Sequence, residues 1–183
     1  MSTDKYYRAF KDIRGNRDVV FETVLDYFEN KPIEILEIGC ARNLDVGSRQ
    51  SDGWSTCFWA DYISQNKGTL SIYDISDEST SNCRKIINHW WKNINCKIFT
   101  TAYGGDYKNF DLIFLDGGDD PRETLNQFEK TEDSGAEIIL IDDFHSKGRL
   151  LPQPDTIWKW ENGHQLAAFG IKLGEVNLEN IET

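Results

Sequence analysis

Short apolar runs alternate along the chain with segments whose apolar residues recur at helical spacing. The helical spacing predicts amphipathic helices, and dense Ile- and Leu-rich runs are typical of strands buried on both faces of a parallel sheet. The predicted helices cover 17–29, 77–95 and 121–130. The predicted strands cover 33–39, 69–76, 97–101, 110–117 and 136–144.

The order of these segments predicts a three-layer α/β fold, because strands that alternate with helices form a parallel sheet covered on both faces. The C-terminal part breaks this alternation. Only residues 172–174 separate QLAAFGI from EVNLENI, and this link is too short for a parallel crossover. We therefore expect these two segments to form an antiparallel hairpin at the end of a mostly parallel sheet. Residues 146–156 are interpreted as irregular.

The length of 183 residues fits a single domain, with an N-terminal helical segment over 1–32 and a sheet core over 33–183. A net charge of −11 makes nucleic acid and anionic membranes unfavourable partners. We see no apolar run of transmembrane length and no secretory signal at the N-terminus. The four cysteines form no CxxC pair, which favours reduced thiols in a cytoplasmic protein. A small molecule is the expected partner, and aromatic residues near the C-terminus are compatible with a homodimer.

Acidic side chains stand at the ends of nearly all the predicted strands. They are Glu37, Asp74, Asp116 and the pair Asp142 and Asp143. Ligands of open parallel sheets bind beyond the carboxyl ends of the strands, where the strand order reverses. The chain contains neither GxxxxGK[ST] nor an intact GxGxxG after the first strand. This pattern favours a cofactor with hydroxyl groups and a positive centre over one with a pyrophosphate.

Several of these strand ends resemble the class I S-adenosylmethionine-dependent methyltransferases. ILEIGCA resembles their first motif, and Asp74 resembles the acid that binds the ribose hydroxyls of the cofactor. FDLIFLDGG and IILIDDF are similar to the fourth and fifth strands of the subgroup that contains catechol O-methyltransferase and the macrolide sugar O-methyltransferases. The resemblance implies a Rossmann-like fold and methyl transfer from S-adenosyl-L-methionine to a small-molecule hydroxyl.

The resemblance also implies the site residues. Residues predicted to contact the cofactor are Glu37, Gly39, Cys40, Ala41, Trp54, Ser55, Asp74, Tyr103 and Asp116. In the resembled subgroup, the equivalents of Asp116, Asp142 and Asp143 hold a divalent cation, usually Mg²⁺, that lowers the pKa of the acceptor hydroxyl. The alternative is a metal-free acid cluster, in which Asp142 or Asp143 caps a helix and Asp116 binds loop amides.

The sequence offers more than one candidate for the group that accepts the hydroxyl proton. Related enzymes often carry a histidine at the position of Asp119, and His145 is the histidine placed at a strand end, so Asp119 and His145 join Asp116 as candidate catalytic residues. His164 is interpreted as a turn residue. Trp54, Trp158 and Trp160 are candidates for lining a substrate pocket, whereas Trp59, Trp90 and Trp91 are expected in the core.

One departure from the resembled family is the loop after the first strand, where CARNLDVGSRQSDGWST replaces the usual glycine-rich turn. We interpret residues 42–52 as an insertion that either closes over the site or is a solvated loop. Two other functions stay open: a non-catalytic cofactor-binding domain of the same fold, and an NAD-dependent oxidoreductase, which the missing GxGxxG disfavours.

Overall fold

The computed structural model describes residues 17–44, 54–160 and 163–178. Its elements in chain order are α1 (Arg17–Tyr27), β1 (Ile33–Ile38), α2 (Ser55–Asn66), β2 (Gly68–Asp74), α3 (Asp77–Trp90), β3 (Cys96–Thr100), β4 (Leu112–Leu115), α4 (Pro121–Thr131), β5 (Ile138–Ile141), α5 (Phe144–Lys147), a 3-10 turn (Gly148–Leu150), β6 (Thr156–Lys159), β7 (Gln165–Phe169) and β8 (Gly174–Asn177). The α/β class is confirmed, and each of the strands predicted over 33–144 overlaps an observed one.

The strands form one sheet in the order β3-β2-β1-β4-β5-β7-β6-β8. The pairs within β3-β2-β1-β4-β5 are parallel, whereas β7 runs antiparallel to both β5 and β6. The chain moves outward from β1 through β2 to β3 and then returns to the other side of β1. The strand order therefore reverses between β1 and β4, and the carboxyl ends of these strands frame the position where α/β sheets bind ligands.

An antiparallel strand lies in the C-terminal part of the sheet as predicted, but the predicted hairpin between QLAAFGI and EVNLENI is wrong, because β6 lies between these two strands. β7 pairs with β6, where Trp158 faces Leu166, and β8 pairs in parallel with the other edge of β6. β6 begins at Thr156, the last residue of the stretch interpreted as irregular, which also contains the end of α5 and the 3-10 turn. A strand of four residues is too short to show an alternating pattern, so the apolar segment could not be identified from periodicity.

Helices cover the two faces of the sheet unequally, and the three-layer arrangement is confirmed. One face carries α1, α2 and α3, with the ring of Trp59 packed 5.0 Å from Phe21 and 5.7 Å from Phe114 between ring centroids. The other face is covered by α4, through Phe128, and by Phe144 of α5. The longest described helix has 14 residues, and no helix among the described residues is long and apolar enough to span a bilayer.

Two helices start directly after strand ends and fix the loops there. Ser76 is the N-cap of α3, and its hydroxyl accepts a hydrogen bond from the backbone N–H of Ser79 at 3.1 Å. Asp120 is the N-cap of α4, and its carboxylate accepts a hydrogen bond from the N–H of Arg122 at 2.9 Å, while Pro121 is the first helical residue. Such caps satisfy N–H groups that have no partner within the helix, so the chain after β2 and β4 is held in place.

The expectation that Trp90 lies in the core is wrong. Trp90 is 46% exposed, whereas its neighbour Trp91 is 4% exposed and donates its indole N–H to Asp61 at 3.2 Å. Consecutive residues at a helix end point in different directions, so only one of the two indoles faces the core.

Candidate active site

Gly39 and Asp116 bring the ends of β1 and β4 into contact where the strand order reverses. Gly39 has a φ of +90°, and a Cβ added there would lie 2.7 Å from the backbone oxygen of Asp116. The backbone N–H of Gly39 donates to the carbonyl of Tyr73, and that of Asp116 donates to the carbonyl of Ile38, both at 2.8 Å. A side chain at position 39 would separate the strand ends, so glycine keeps these predicted cofactor residues adjacent.

Glu37 lies beneath this contact, with no exposed surface. Its carboxyl oxygens accept hydrogen bonds from the hydroxyl of Ser55 at 2.6 Å and from that of Thr56 at 2.7 Å. Burial raises the pKa of Glu37 to about 8, although these two hydrogen bonds act in the opposite direction. The group joins β1 to the start of α2, and direct contact of Glu37 or Ser55 with a cofactor stays a prediction.

Ala41 and Trp54, on either side of the loop that follows β1, are also buried. The backbone N–H of Ala41 donates to the hydroxyl of Thr56 at 3.0 Å. Trp54 precedes α2 in a left-handed conformation and is 2% exposed. Residues 45–53, which include most of the predicted insertion, lie outside the described residues, so the predicted roles of that loop and of Trp54 beside it stay open.

Asp74 and Cys40 meet at the neighbouring strand ends, although 34 residues separate them in the chain. The thiol of Cys40 donates to one carboxylate oxygen of Asp74 at 3.5 Å, and the backbone N–H of Ser76 donates to the other at 2.8 Å. Asp74 is half-buried, and each of its oxygens can accept more than one hydrogen bond. This geometry is compatible with a carboxylate that accepts from ligand hydroxyls.

Tyr103 belongs to a group of aromatic rings beside the end of β2. Its ring meets that of Tyr73 edge-to-face at 4.6 Å and that of Tyr107 at 4.7 Å between centroids. Tyr73 in turn stacks on Phe99 at 4.5 Å. Tyr103 is therefore placed at the predicted edge of the site, and its contact with an adenine ring stays a prediction.

Asp116, Asp142 and Asp143 come together as the sequence predicts. Oxygens of the three carboxylates lie within 4.8 Å of one another, at the ends of β4 and β5. Asp143 starts α5 in a left-handed conformation with a φ of 49° and makes no side-chain capping bond. The carboxylate of Asp142 accepts from the backbone N–H of Asp143 at 2.9 Å. Asp143 thus occupies the N-cap position that the alternative considered, but its side chain does not cap the helix.

Two residues that the sequence analysis missed complete this acidic cluster, defined as Asp116, Asp142 and Asp143. The ammonium of Lys147 lies 2.7 Å from Asp116 Oδ1 and 3.9 Å from Asp143 Oδ2, and the side chain is 3% exposed. Burial lowers the pKa of Lys147, but the charge and hydrogen bond of Asp116, with the other two carboxylates, outweigh it and raise the pKa overall. Lys147 is therefore charged in the folded protein.

His164 is the second missed residue, and its interpretation as a simple turn residue was incomplete. Its Nδ1 lies 2.7 Å from Asp143 Oδ1 and its Nε2 lies 3.2 Å from Asp142 Oδ1. The hydrogen bond from His164 lowers the pKa of Asp143, against the effect of burial. Trp160 packs on the imidazole, with 5.0 Å between centroids. His164, directly before β7, thus reaches the acidic cluster.

The candidate proton acceptors lie at the surface of this region. His145 is exposed, and its ring centroid is 6.1 Å from that of His164. Asp119 is exposed in the loop between β4 and α4. Asp143, His145 and His164 also bring ligand atoms within 4.8 Å of one another. Of the other pocket candidates, Trp158 is 2% exposed within the core, as is Trp54, and its role in lining a pocket stays a prediction.

The acidic cluster can be tested for its fit to the divalent cation that the resemblance implies. Carboxylate oxygens are suitable ligands for Mg²⁺. Here, however, Lys147 already binds Asp116, and His164 lies within hydrogen-bonding distance of Asp142 and Asp143. A divalent ion would have to displace or repel the ammonium, so this donor set does not fit Mg²⁺ as it stands. The geometry favours the metal-free acid cluster.

Solved structures of other proteins share this fold. No family model and no curated protein matches the chain. Among solved structures, it is similar to a candidate O-methyltransferase from Klebsiella pneumoniae, with a TM-score of 0.61 and 16% identity, covering 89% of this chain and 84% of that one. An RNA methyltransferase from Salinibacter ruber in complex with S-adenosyl-L-homocysteine gives 0.57 and 11%, covering 85% and 92%. The chain has the methyltransferase fold.

A third similar structure is the S-adenosyl-L-homocysteine-bound methyltransferase PaMTH1 of Podospora anserina, with a TM-score of 0.52 and 21% identity. The match covers 72% of this chain and 53% of PaMTH1, so the chain spans about half the length of that protein. At sequence identities this low, the structural similarity establishes the fold alone. The reaction and its acceptor have to be inferred from the site.

Proposed function

We propose that the protein transfers the methyl group of S-adenosyl-L-methionine to a hydroxyl oxygen of a small molecule. The observation that carries this proposal is the joint placement of Gly39, Asp74 and Asp116 at the ends of adjacent strands of a methyltransferase-type sheet. Two of the similar structures hold S-adenosyl-L-homocysteine, the product that remains after methyl transfer.

Each of the three residues has a role that its chemistry supports. The carboxylate of Asp74 can accept hydrogen bonds from two vicinal ribose hydroxyls while keeping those from Cys40 and Ser76. Gly39 lets a ligand approach the backbone without meeting a side chain. Asp116 would add a carboxylate to this site, and its negative charge would favour the positive centre of the cofactor.

When bound, the cofactor supplies an electrophilic methyl carbon on its sulfonium sulfur. In the transfer that it would supply, a bond from the acceptor oxygen to this carbon would replace the carbon–sulfur bond, S-adenosyl-L-homocysteine would leave, and a base would take the hydroxyl proton. His145 and Asp119 are the exposed bases that we propose for this proton. Correct orientation of the two reactants supplies much of the rate in such a displacement. No step requires a metal ion, since Lys147 already neutralises part of the acidic cluster.

The acceptor that we propose is a neutral or cationic small molecule. A net charge of −11 opposes the approach of a nucleic acid, whose phosphates dominate its binding to proteins. The Salinibacter ruber protein acts on RNA according to its name, so RNA belongs in the acceptor panel as a competing class.

Calorimetric titration with S-adenosyl-L-homocysteine tests the cofactor part of the proposal. We expect one-site binding, and Asp74→Asn should weaken it about 10- to 100-fold, because hydrogen bonds to a charged acceptor are lost. Asp77→Asn is the matched control, since Asp77 lies three residues further along the chain in the exposed first turn of α3. Equal affinity of both variants would exclude Asp74 from the cofactor site.

Thermal melting separates the alternatives. A ligand at 100 times its dissociation constant adds about 2.7 kcal/mol, or several degrees for a domain of this size. A rise in melting temperature with NAD alone would favour the oxidoreductase. Binding of S-adenosyl-L-homocysteine without methyl transfer to any hydroxyl compound or RNA in a broad panel would favour the non-catalytic binding domain.

A further inference from the structure

The acidic cluster at the ends of β4 and β5 contains its own cation. Oxygens of Asp116, Asp142 and Asp143 lie within 4.8 Å of one another, and like charges this close repel strongly in a partly buried site. The Lys147 ammonium sits 2.7 Å from Asp116 and 3.9 Å from Asp143. Its side chain is 3% exposed, so the attraction is little screened by solvent.

Local backbone structure places the ammonium there. Asp143 adopts a left-handed conformation that turns the chain from β5 into α5, and Lys147 follows one helical turn later. The backbone N–H of Lys147 donates to the carbonyl of Asp143 at 3.0 Å. Gly148 then lies so close to the ring of Phe144 that an added Cβ would come within 2.3 Å of it. These contacts direct the lysine side chain back toward the strand ends.

A divalent ion would meet this ammonium as a competitor. It would need a carboxylate oxygen of Asp116, which Lys147 already binds through Oδ1, and the carboxylates of Asp142 and Asp143 that face His164. Repulsion between an ammonium and a divalent ion a few ångströms apart opposes binding of both together.

We propose that the Lys147 ammonium is the resident cation of the acidic cluster and holds Asp116 in place beside Gly39, so that ligand binding at this edge needs no divalent metal. Lys147 is then a positioning residue, because it acts through Asp116. The consequence for methyl transfer rests on the function proposed above, whereas the exclusion of metal does not.

Titration of the wild-type protein with Mn²⁺, followed by electron paramagnetic resonance and competed with Mg²⁺, tests the exclusion directly. We expect no binding at the cluster at millimolar concentrations. One-site binding of Mn²⁺ that Mg²⁺ displaces and that Asp142→Asn abolishes would overturn the proposal. Asp142 is the diagnostic residue because it belongs to the acidic cluster and not to the Asp143, His145 and His164 group.

The substitution Lys147→Met removes the charge and keeps most of the side-chain volume. We expect its Mn²⁺ affinity to exceed that of the wild type by about 100-fold or more, since the repelling charge is gone. Mn²⁺ should also raise the melting temperature of this variant and restore its affinity for S-adenosyl-L-homocysteine. A merely structural lysine would not be rescued by a metal ion.

The control is Lys130→Met, which removes an exposed lysine from the last turn of α4. Equal Mn²⁺ affinity of the two variants would contradict the proposal. If Lys147→Met does not fold alone, refolding with Mn²⁺ is expected to recover it, and the wild-type titration decides the matter independently. Failure of S-adenosyl-L-homocysteine to bind the wild type would refute the proposed function and leave the metal result standing.

Discussion

Two buried ionisable groups lie at the same edge of the sheet and are accommodated in opposite ways. Glu37, on the β1 side, has no exposed surface and accepts hydrogen bonds from the hydroxyls of Ser55 and Thr56, and burial raises its pKa to about 8. Lys147, on the β4 and β5 side, stays charged because Asp116 lies 2.7 Å away. The β1 side is therefore held by a largely protonated acid, and the β5 side by ion pairs.

The largest effect that we expect comes from breaking the ion pair. Asp116→Asn should lower the free energy of unfolding by about 3 kcal/mol, because the buried ammonium loses its nearest carboxylate and keeps only the more distant one of Asp143 at 3.9 Å. This value is at the low end of the usual range, since the Asp116 side chain is 31% exposed. Chemical denaturation measures it, and the exposed residue Asp119 provides the control variant Asp119→Asn.

A double-mutant cycle with Lys147→Met sharpens this result. The double variant should lose less free energy of unfolding than the sum of the losses of the two single variants, because neither charge of the pair is left without its partner. Strict additivity would show that the pair does not interact and would remove the basis of the comparison.

Gly39→Ala should cost about 2 kcal/mol of stability. Its φ of +90° is unfavourable for any residue with a Cβ, and that atom would lie 2.7 Å from the backbone oxygen of Asp116. The matched control is Gly104→Ala, because a Cβ at Gly104 meets nothing within 4 Å. If the two alanine variants melt at the same temperature, the close contact between the ends of β1 and β4 is not needed.

The fold was largely predictable because most of its strands lie in apolar runs that alternate with predicted helices, an order that is typical of a parallel sheet. β6 was not, since its four residues follow a segment with two prolines and show no periodicity. The partner of β7 was wrong for the same reason: a short link indicates strand direction, whereas β6 inserts between the two strands that the link joins.

Some residues of the candidate site could likewise be predicted from the sequence, and others could not. The strand-end acids could be predicted, because the carboxyl ends of parallel strands share one edge. The ion pair of Lys147 could have been predicted in part, since Lys147 follows Asp143 by four residues, the spacing of one helical turn. The position of His164 could not, because its contact with Asp142 is a tertiary contact that no local sequence spacing indicates.

The two sides should respond to pH in opposite directions. Folding raises the pKa of Glu37 from 4.5 to about 8, so the folded state binds a proton that unfolding releases. Stability contributed by this group is present below pH 4.5 and is lost as the pH rises to about 8, at about 1 kcal/mol per pH unit. Asp143 has a lowered pKa because of His164, so its contribution is lost as the pH falls.

Denaturation at several pH values with Glu37→Gln separates these effects. The variant should flatten the decline in stability toward pH 8 and leave the acid side unchanged. Glu34→Gln, on the same strand and only half-buried, is the control and should keep the wild-type slope. A Glu37→Gln profile parallel to that of the wild type would mean that Glu37 is already ionised in the folded protein.

The smallest effect that we expect is at Cys40. Its thiol reaches Asp74 at 3.5 Å, a long contact to a half-buried carboxylate, and a thiol is a weak donor. Cys40→Ala should therefore change the free energy of unfolding by less than about 1 kcal/mol. Cys40→Ser keeps a donor of similar size, and its hydroxyl should leave the protein at least as stable as the alanine variant. A loss for Cys40→Ala as large as that for Asp116→Asn would show that the β1 side, too, depends on a strong interaction with a carboxylate.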